Sequence, residues 1–154
     1  ATLAATVVGK PARMELLDAD TMRALDGYQG QSFDVVPTVF FELHGTPAGV
    51  EAEAAALAEL VHDYGATGFE AATAQEERTR LWRARHQAFW AIKARWPGKD
   101  LIPTDVCVPV TRLAEIIDAT QRDVLELGFE AAPIFGHVGD GNFHLLLIFD
   151  ASDA

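Results

Sequence analysis

Apolar positions recur along the chain at two periods, and together they predict alternating strands and helices. MELLD (14–18) reads as a short strand running into Asp20, an N-cap for a helix over 21–25 that stops at Gly27. After the turn-rich 28–37, TVFFELHG (38–45) reads as a buried strand punctuated by Gly45, Pro47 and Gly49. Val50, Ala54, Leu57, Val61 and Tyr64 then fall at helical spacing, with Gly65 as C-cap. TGFEAA (67–72) reads as a short strand before a helix over 74–95, which ends ahead of Pro97. A strand at 104–110 precedes a helix over 112–127, whose face carries Leu113, Ile116, Ile117, Thr120, Val124 and Leu127 and which closes at Gly128. Two last strands, 132–137 and 143–150, flank VGDGN. That connection is short enough for a hairpin, so the pairing there is antiparallel. The expected fold is α+β, with helices over a mainly antiparallel sheet in a single domain over residues 1–154.

Composition supports a folded core and excludes several classes. Of 154 residues 49% are hydrophobic, nine Phe and three Trp among them, so the chain is no disordered acidic tail. Its net charge of −11 argues against general nucleic-acid binding, which rests on Lys and Arg displacing counterions from phosphates. The one cysteine, Cys107, admits neither an internal disulfide nor a multi-cysteine metal site; in the strand expected at 104–110 it reads as a small buried residue rather than a nucleophile. No apolar run reaches the ~18–20 residues of a membrane span, and the first residues lack the pattern of a signal peptide. The expected location is cytoplasmic or peripheral at a membrane, and mitochondrial in a eukaryote. The absence of an initiator Met and the stop just after an apolar strand read as a piece of a longer protein.

The charges are uneven. Seven of the twelve basic residues lie between Arg78 and Lys99 with no acid among them. Arg78, Leu81, Arg85, Ala88 and Ile92 share one helical stripe beside a second stripe of Trp82, Phe89 and Trp96. Arg85 thus sits within a mostly apolar face, where an unpaired guanidinium is costly. It needs an anion: a ligand carboxylate, which a guanidinium fork grips with two bonds, or one of the chain's 23 acids in a structural ion pair. Arg78, Arg80 and Arg83 read as a solvated face.

The segment GHVGDGNFH (136–144) holds three glycines, and an Asp-Gly-Asn turn lies between its two histidines. His137 and His144, at the mouths of adjacent strands, can converge on one divalent ion, neutral imidazole suiting Zn²⁺ or Mn²⁺. A tight turn with two hydrogen-bonded histidines is the other reading of the same spacing. Asp140 and Asn142 read first as turn formers.

GHVGDGNFH resembles the signature of the C-terminal domain of FAD-linked oxidases and dehydrogenases acting on D-2-hydroxy acids, a branch of the vanillyl-alcohol-oxidase-type flavoproteins. PTVFFELHG (37–45), LWRARHQAFW (81–90) and TDVCVPVTRL (104–113) fit the same family in the same order, the cytochrome-linked D-lactate dehydrogenases most of all. The resemblance implies a ferredoxin-like substrate domain. It makes His137 and His144 two ligands of a zinc or manganese ion beside the flavin, and Arg85 the group that binds the substrate carboxylate. Asn142, in the same loop, is a candidate for contact with substrate.

It further implies that no catalytic base lies here: the base and the third metal ligand belong to a downstream Glu-His-Gly motif, and an FAD-binding domain precedes Ala1. ELHG at 42–45 does not substitute for that motif. Where some relatives carry a substrate-contacting Asn, this chain has Leu146, which points to a more apolar pocket and a small acid. His44 and His86 are candidates to line the pocket but read more readily as hydrogen-bonded structural residues; His62 reads as exposed.

The expected function is part of an FAD-dependent dehydrogenase of small D-2-hydroxy acids, D-lactate foremost and glycolate next, passing electrons to an acceptor such as a cytochrome or quinone. The isolated piece is expected to be inactive. The alternative is a non-catalytic metal- or ligand-binding α+β module.

Overall fold

The computed structural model describes residues 11–153. Strand β1 (Arg13–Leu17) leads into helix α1 (Ala19–Leu25), and β2 (Thr38–Glu42) into α2 (Pro47–Asp63). Helix α3 (Gln75–Arg95) is followed by two short strands, β3 (Asp100–Pro103) and β4 (Val106–Cys107). Helix α4 (Leu113–Glu126) and the hairpin of β5 (Ile134–Gly136) and β6 (Asn142–Phe149) complete the fold. The strands form one sheet in the order β2-β1-β5-β6-β3, with β4 also on β6, and each of these pairings is antiparallel. The α+β reading is therefore correct.

The period-2 alternation of the strands feeds two hydrophobic clusters. Leu17, Phe135, Leu146 and Ile148 pack with Met22 and Leu25 of α1 and with Ala84, Ala88, Ala91 and Ile92 of α3. Met14, Ile134, Phe143 and Leu145 pack instead with Leu57 of α2 and Leu113 and Val124 of α4. The alanines of α3 let its backbone lie close to α1, and their side chains share this cluster with Leu17, Phe135, Leu146 and Ile148 of the sheet.

Several expectations change. Helix α1 is capped by Asp18, not Asp20: the Asp18 carboxylate accepts from the Thr21 amide at 2.8 Å. Helix α2 begins at Pro47 rather than residue 50, because Thr46 caps it and proline suits the first helical position. The segment TVFFELHG is a half-buried edge strand rather than a buried one, with Val39 37% exposed.

Residues 67–72 pair with no strand: their β-forming side chains find no sheet edge, and Phe69 stays exposed. Conversely residues 100–103, outside every strand expected from the sequence, form β3. The long edge of β6 is shared between β3 and β4, with Pro103 at the end of β3, where a missing donor is tolerated, and Thr104 in the break. There the Thr104 amide donates to the Leu145 carbonyl at 2.8 Å and its hydroxyl accepts from the Leu145 amide at 3.2 Å. Cys107 is exposed, since only two residues of its segment pair and β4 lies at the rim. Leu127, placed on the buried face, is 74% exposed because the helix ends at Glu126, one residue before it.

Candidate functional site

The β5–β6 hairpin explains the glycines of GHVGDGNFH. A Cβ on Gly136 would lie 2.4 Å from Phe143 Cα and 2.6 Å from the Asn142 carbonyl oxygen, so the strands approach this closely only with glycine there. Gly141 combines a φ of +75° with a virtual Cβ 2.0 Å from the Val108 carbonyl oxygen. Between them Val138–Asp140 forms one 3₁₀ turn. His137 is thereby held just past the end of β5, and His144, cross-strand from Phe135, on β6.

The two imidazoles stand edge to face with ring centres 5.8 Å apart. Nδ1 of His144 lies 3.3 Å from the Thr104 carbonyl oxygen, and Nδ1 of His137 lies 2.6 Å from Glu15 Oε1. A carbonyl oxygen and a carboxylate only accept, so these contacts call for a proton on Nδ1 of each ring, and a neutral ring so held turns its Nε2 lone pair outward. Asp105 is 3.6 Å from His144 Nδ1 and 73% exposed.

Glu15 is 2% exposed, and its other oxygen accepts from Arg85 Nε at 2.8 Å. Arg85 is itself buried and stacks over Phe135 at 4.9 Å. Its ion pair with Glu15 is the structural partner that an arginine on an apolar helix face requires. That bond engages Nε alone; among the described residues the two terminal nitrogens make no hydrogen bond, and Arg85 borders a cleft of about 530 Å³. The cleft is also lined by Arg13, Glu15, His86, Phe135, His137, Asp140 and His144.

Three of the four residues singled out from sequence therefore meet in one place. The fourth, Asn142, does not line the cleft: its amide nitrogen donates to Asp105 at 2.6 Å and to the Val106 carbonyl at 3.3 Å, tying β4 to the hairpin. Leu146 is fully buried under α3, so it shapes the core rather than the pocket, and the cleft takes its apolar surface from Phe135 and Met14. His86 borders the cleft, whereas His44 lies elsewhere on the surface, bonded to Glu42. His62, Arg78, Arg80 and Arg83 are exposed, in line with their sequence reading.

Glu15 was the residue missed. Its signal lay in MELLD, where strand alternation puts an acid on the same buried face as Leu17, the complement to an arginine on an apolar helix face. Among the described residues no three His, Cys, Asp or Glu side chains converge as a metal-binding group. The two histidines nonetheless suit a share in one, being close together, unbonded at Nε2 among the described residues, and backed at Nδ1 by acceptors, as metal-binding imidazoles usually are.

Comparison with known proteins assigns the fold. The family model "FAD linked oxidases, C-terminal domain" matches residues 1–154. The chain belongs to that family. It is 42% identical over 142 residues to the probable mitochondrial D-lactate dehydrogenase of Danio rerio, covering 92% of this chain and 28% of that protein. It is 34% identical over 140 residues to the mitochondrial D-lactate dehydrogenase [cytochrome] of Arabidopsis thaliana, covering 91% of this chain and 24% of that one. The glycolate oxidase subunit GlcD of Escherichia coli is 28% identical over 145 residues, with 93% of this chain and 28% of the subunit covered. The chain thus spans about a quarter of the length of these relatives. No helix among the described residues is long and apolar enough to cross a membrane.

Proposed function

We propose that this domain supplies the acid-binding cleft of an FAD-dependent dehydrogenase that oxidises a small D-2-hydroxy acid to the 2-oxo acid, D-lactate before glycolate. The observation that carries the reading is the convergence of Arg85, His137 and His144 on one cleft in a domain of the FAD-linked oxidase family. The ranking of acids rests on the names and identities of the relatives, 42% for a D-lactate dehydrogenase against 28% for a glycolate oxidase subunit.

In this reading the terminal nitrogens of Arg85 bind the acid's carboxylate in a bidentate grip, while Glu15 fixes the guanidinium through Nε. His137 and His144 would hold a zinc or manganese ion through Nε2, with further ligands and the catalytic base from outside these residues. When bound, such an ion would supply Lewis acidity toward the substrate's hydroxyl, and FAD, the family's cofactor, would supply the hydride-accepting chemistry. Phe135 and Met14 give the cleft an apolar wall that suits a short side chain. The electrons would pass to a cytochrome or quinone, the former in keeping with the bracketed word in the Arabidopsis relative's name.

In the full-length protein, His137→Ala and His144→Ala should each lower bound zinc or manganese, measured by elemental analysis, together with kcat/KM for D-lactate. Undiminished activity in both variants, or after exhaustive chelation, refutes the metal role. Arg85→Lys keeps a cation beside Glu15 but loses the fork, so KM should rise roughly 10–100-fold, the value of about 1.5–3 kcal/mol for hydrogen bonds to a charged group. FAD content should be retained, and an unchanged KM refutes carboxylate binding.

A further inference from the structure

The buried pair at the floor of the cleft has a property that neither histidine nor arginine explains. Glu15 sits on β1, between β2 and β5 in the sheet, with both carboxylate oxygens spent, Oε1 on His137 Nδ1 at 2.6 Å and Oε2 on Arg85 Nε at 2.8 Å. No water-facing alternative is open to a side chain 2% exposed. We infer that Glu15 is the positioning residue of the cleft, one carboxylate that fixes the His137 tautomer and aims the Arg85 guanidinium at the same time. The inference rests on the proposed metal and hydroxy-acid reading of the cleft, and it places the cation-binding and the anion-binding group under the control of a single side chain.

The reasoning turns on what a carboxylate can do and an amide of the same shape cannot. Two donors, an imidazole Nδ1–H and a guanidinium Nε–H, converge on Glu15, and only a group with two accepting oxygens satisfies both. In Glu15→Gln one oxygen becomes an NH₂. The stronger bond is the one to the permanently charged arginine, so the amide oxygen turns to Arg85 and the NH₂ to His137. Nδ1 of His137 must then accept, its proton moves to Nε2, and the nitrogen that faced a metal becomes a donor. His144 is untouched, because its Nδ1 is held by the Thr104 backbone carbonyl. The substitution therefore acts selectively on one imidazole of the pair, an effect that a general loss of packing does not produce.

The test uses the full-length protein with ¹⁵N-labelled histidine, as wild type, Glu15→Gln and Glu15→Asp. Metal-free wild type should show His137 and His144 both as the Nδ1–H tautomer in long-range ¹H–¹⁵N correlation spectra, assigned with His137→Ala and His144→Ala. Glu15→Gln should convert His137 alone to Nε2–H and weaken Mn²⁺ binding, measured by calorimetric titration, about 10–100-fold. Glu15→Asp keeps two accepting oxygens, so it should retain the wild-type tautomer and lose less Mn²⁺ affinity than Glu15→Gln. An Nε2–H tautomer of His137 in the wild type overturns the inference without recourse to any variant. So does a Glu15→Gln protein that keeps Nδ1–H and binds Mn²⁺ within threefold of wild type. Failure of the underlying reading looks different: wild type that binds no Mn²⁺ removes the metal, while the tautomers still decide whether Glu15 sets His137.

Discussion

Gly136→Ala is the sharpest probe of how the hairpin is built. The added Cβ falls 2.4 Å from Phe143 Cα, 2.6 Å from the Asn142 carbonyl oxygen and 2.9 Å from Phe143 Cβ. Non-bonded carbon atoms rest at roughly 3.5–4.0 Å, so β5 and β6 must separate by about 1 Å at this point, and the groups met are mainly backbone that no rotamer change removes. Phe143 is fully buried in the cluster against α2 and α4, which opposes the shift. Overpacking of this kind costs about 1–3 kcal/mol, and a lost ladder hydrogen bond adds about 1 kcal/mol, giving roughly 2–4 kcal/mol. At about 2–4 °C per kcal/mol for a chain of this size, Tm should fall by roughly 5–15 °C.

The internal control is Gly139→Ala, whose Cβ would meet the terminal Cε of Met14 at 3.2 Å, a flexible group able to swing aside. Thermal unfolding followed by circular dichroism compares the two. Equal Tm values for Gly136→Ala and Gly139→Ala would refute the claim that close strand approach, rather than turn flexibility, is what the motif's first glycine provides.

Two further predictions concern the framework. Burial pushes the Asp18 carboxyl above its ordinary range despite its bond to Thr21, so its ionised form is disfavoured in the fold; its stabilising share is complete below the unfolded pKa and is lost as pH rises through the folded one. Asn caps a helix as well without the charge, so the stability difference between Asp18→Asn and wild type should shift in favour of the variant as pH rises from 3 to 7; a difference that moves the other way contradicts this. Leu57 is the fully buried anchor of α2, and Leu57→Ala should cost about 2–5 kcal/mol by denaturant titration, whereas a loss under 1 kcal/mol would mean that α2 contributes little to the second cluster.

The sequence by itself determined the helices, the terminal hairpin and two kinds of chemistry. Periods of 3.6 and 2 are properties of local backbone geometry, and so α3 and the β5–β6 pair were legible from 74–95 and 132–150. Strand partners were not, because pairing joins residues far apart: 67–72 has the composition of a strand but no edge to join, and 100–103 became one because β6 offered its edge. The site divides in the same way. Arg85 on an apolar helix face announced that it needed an anion, and two histidines around a glycine-rich turn announced a pair. That the anion at Arg85 Nε is Glu15, 70 positions away, and that the same carboxylate orients His137, 122 positions from it, was decided by the sheet order that seats β1 between β2 and β5 with α3 lying on it. Residue type and spacing state what each group requires, and only the packing of distant segments settles which partner meets the requirement.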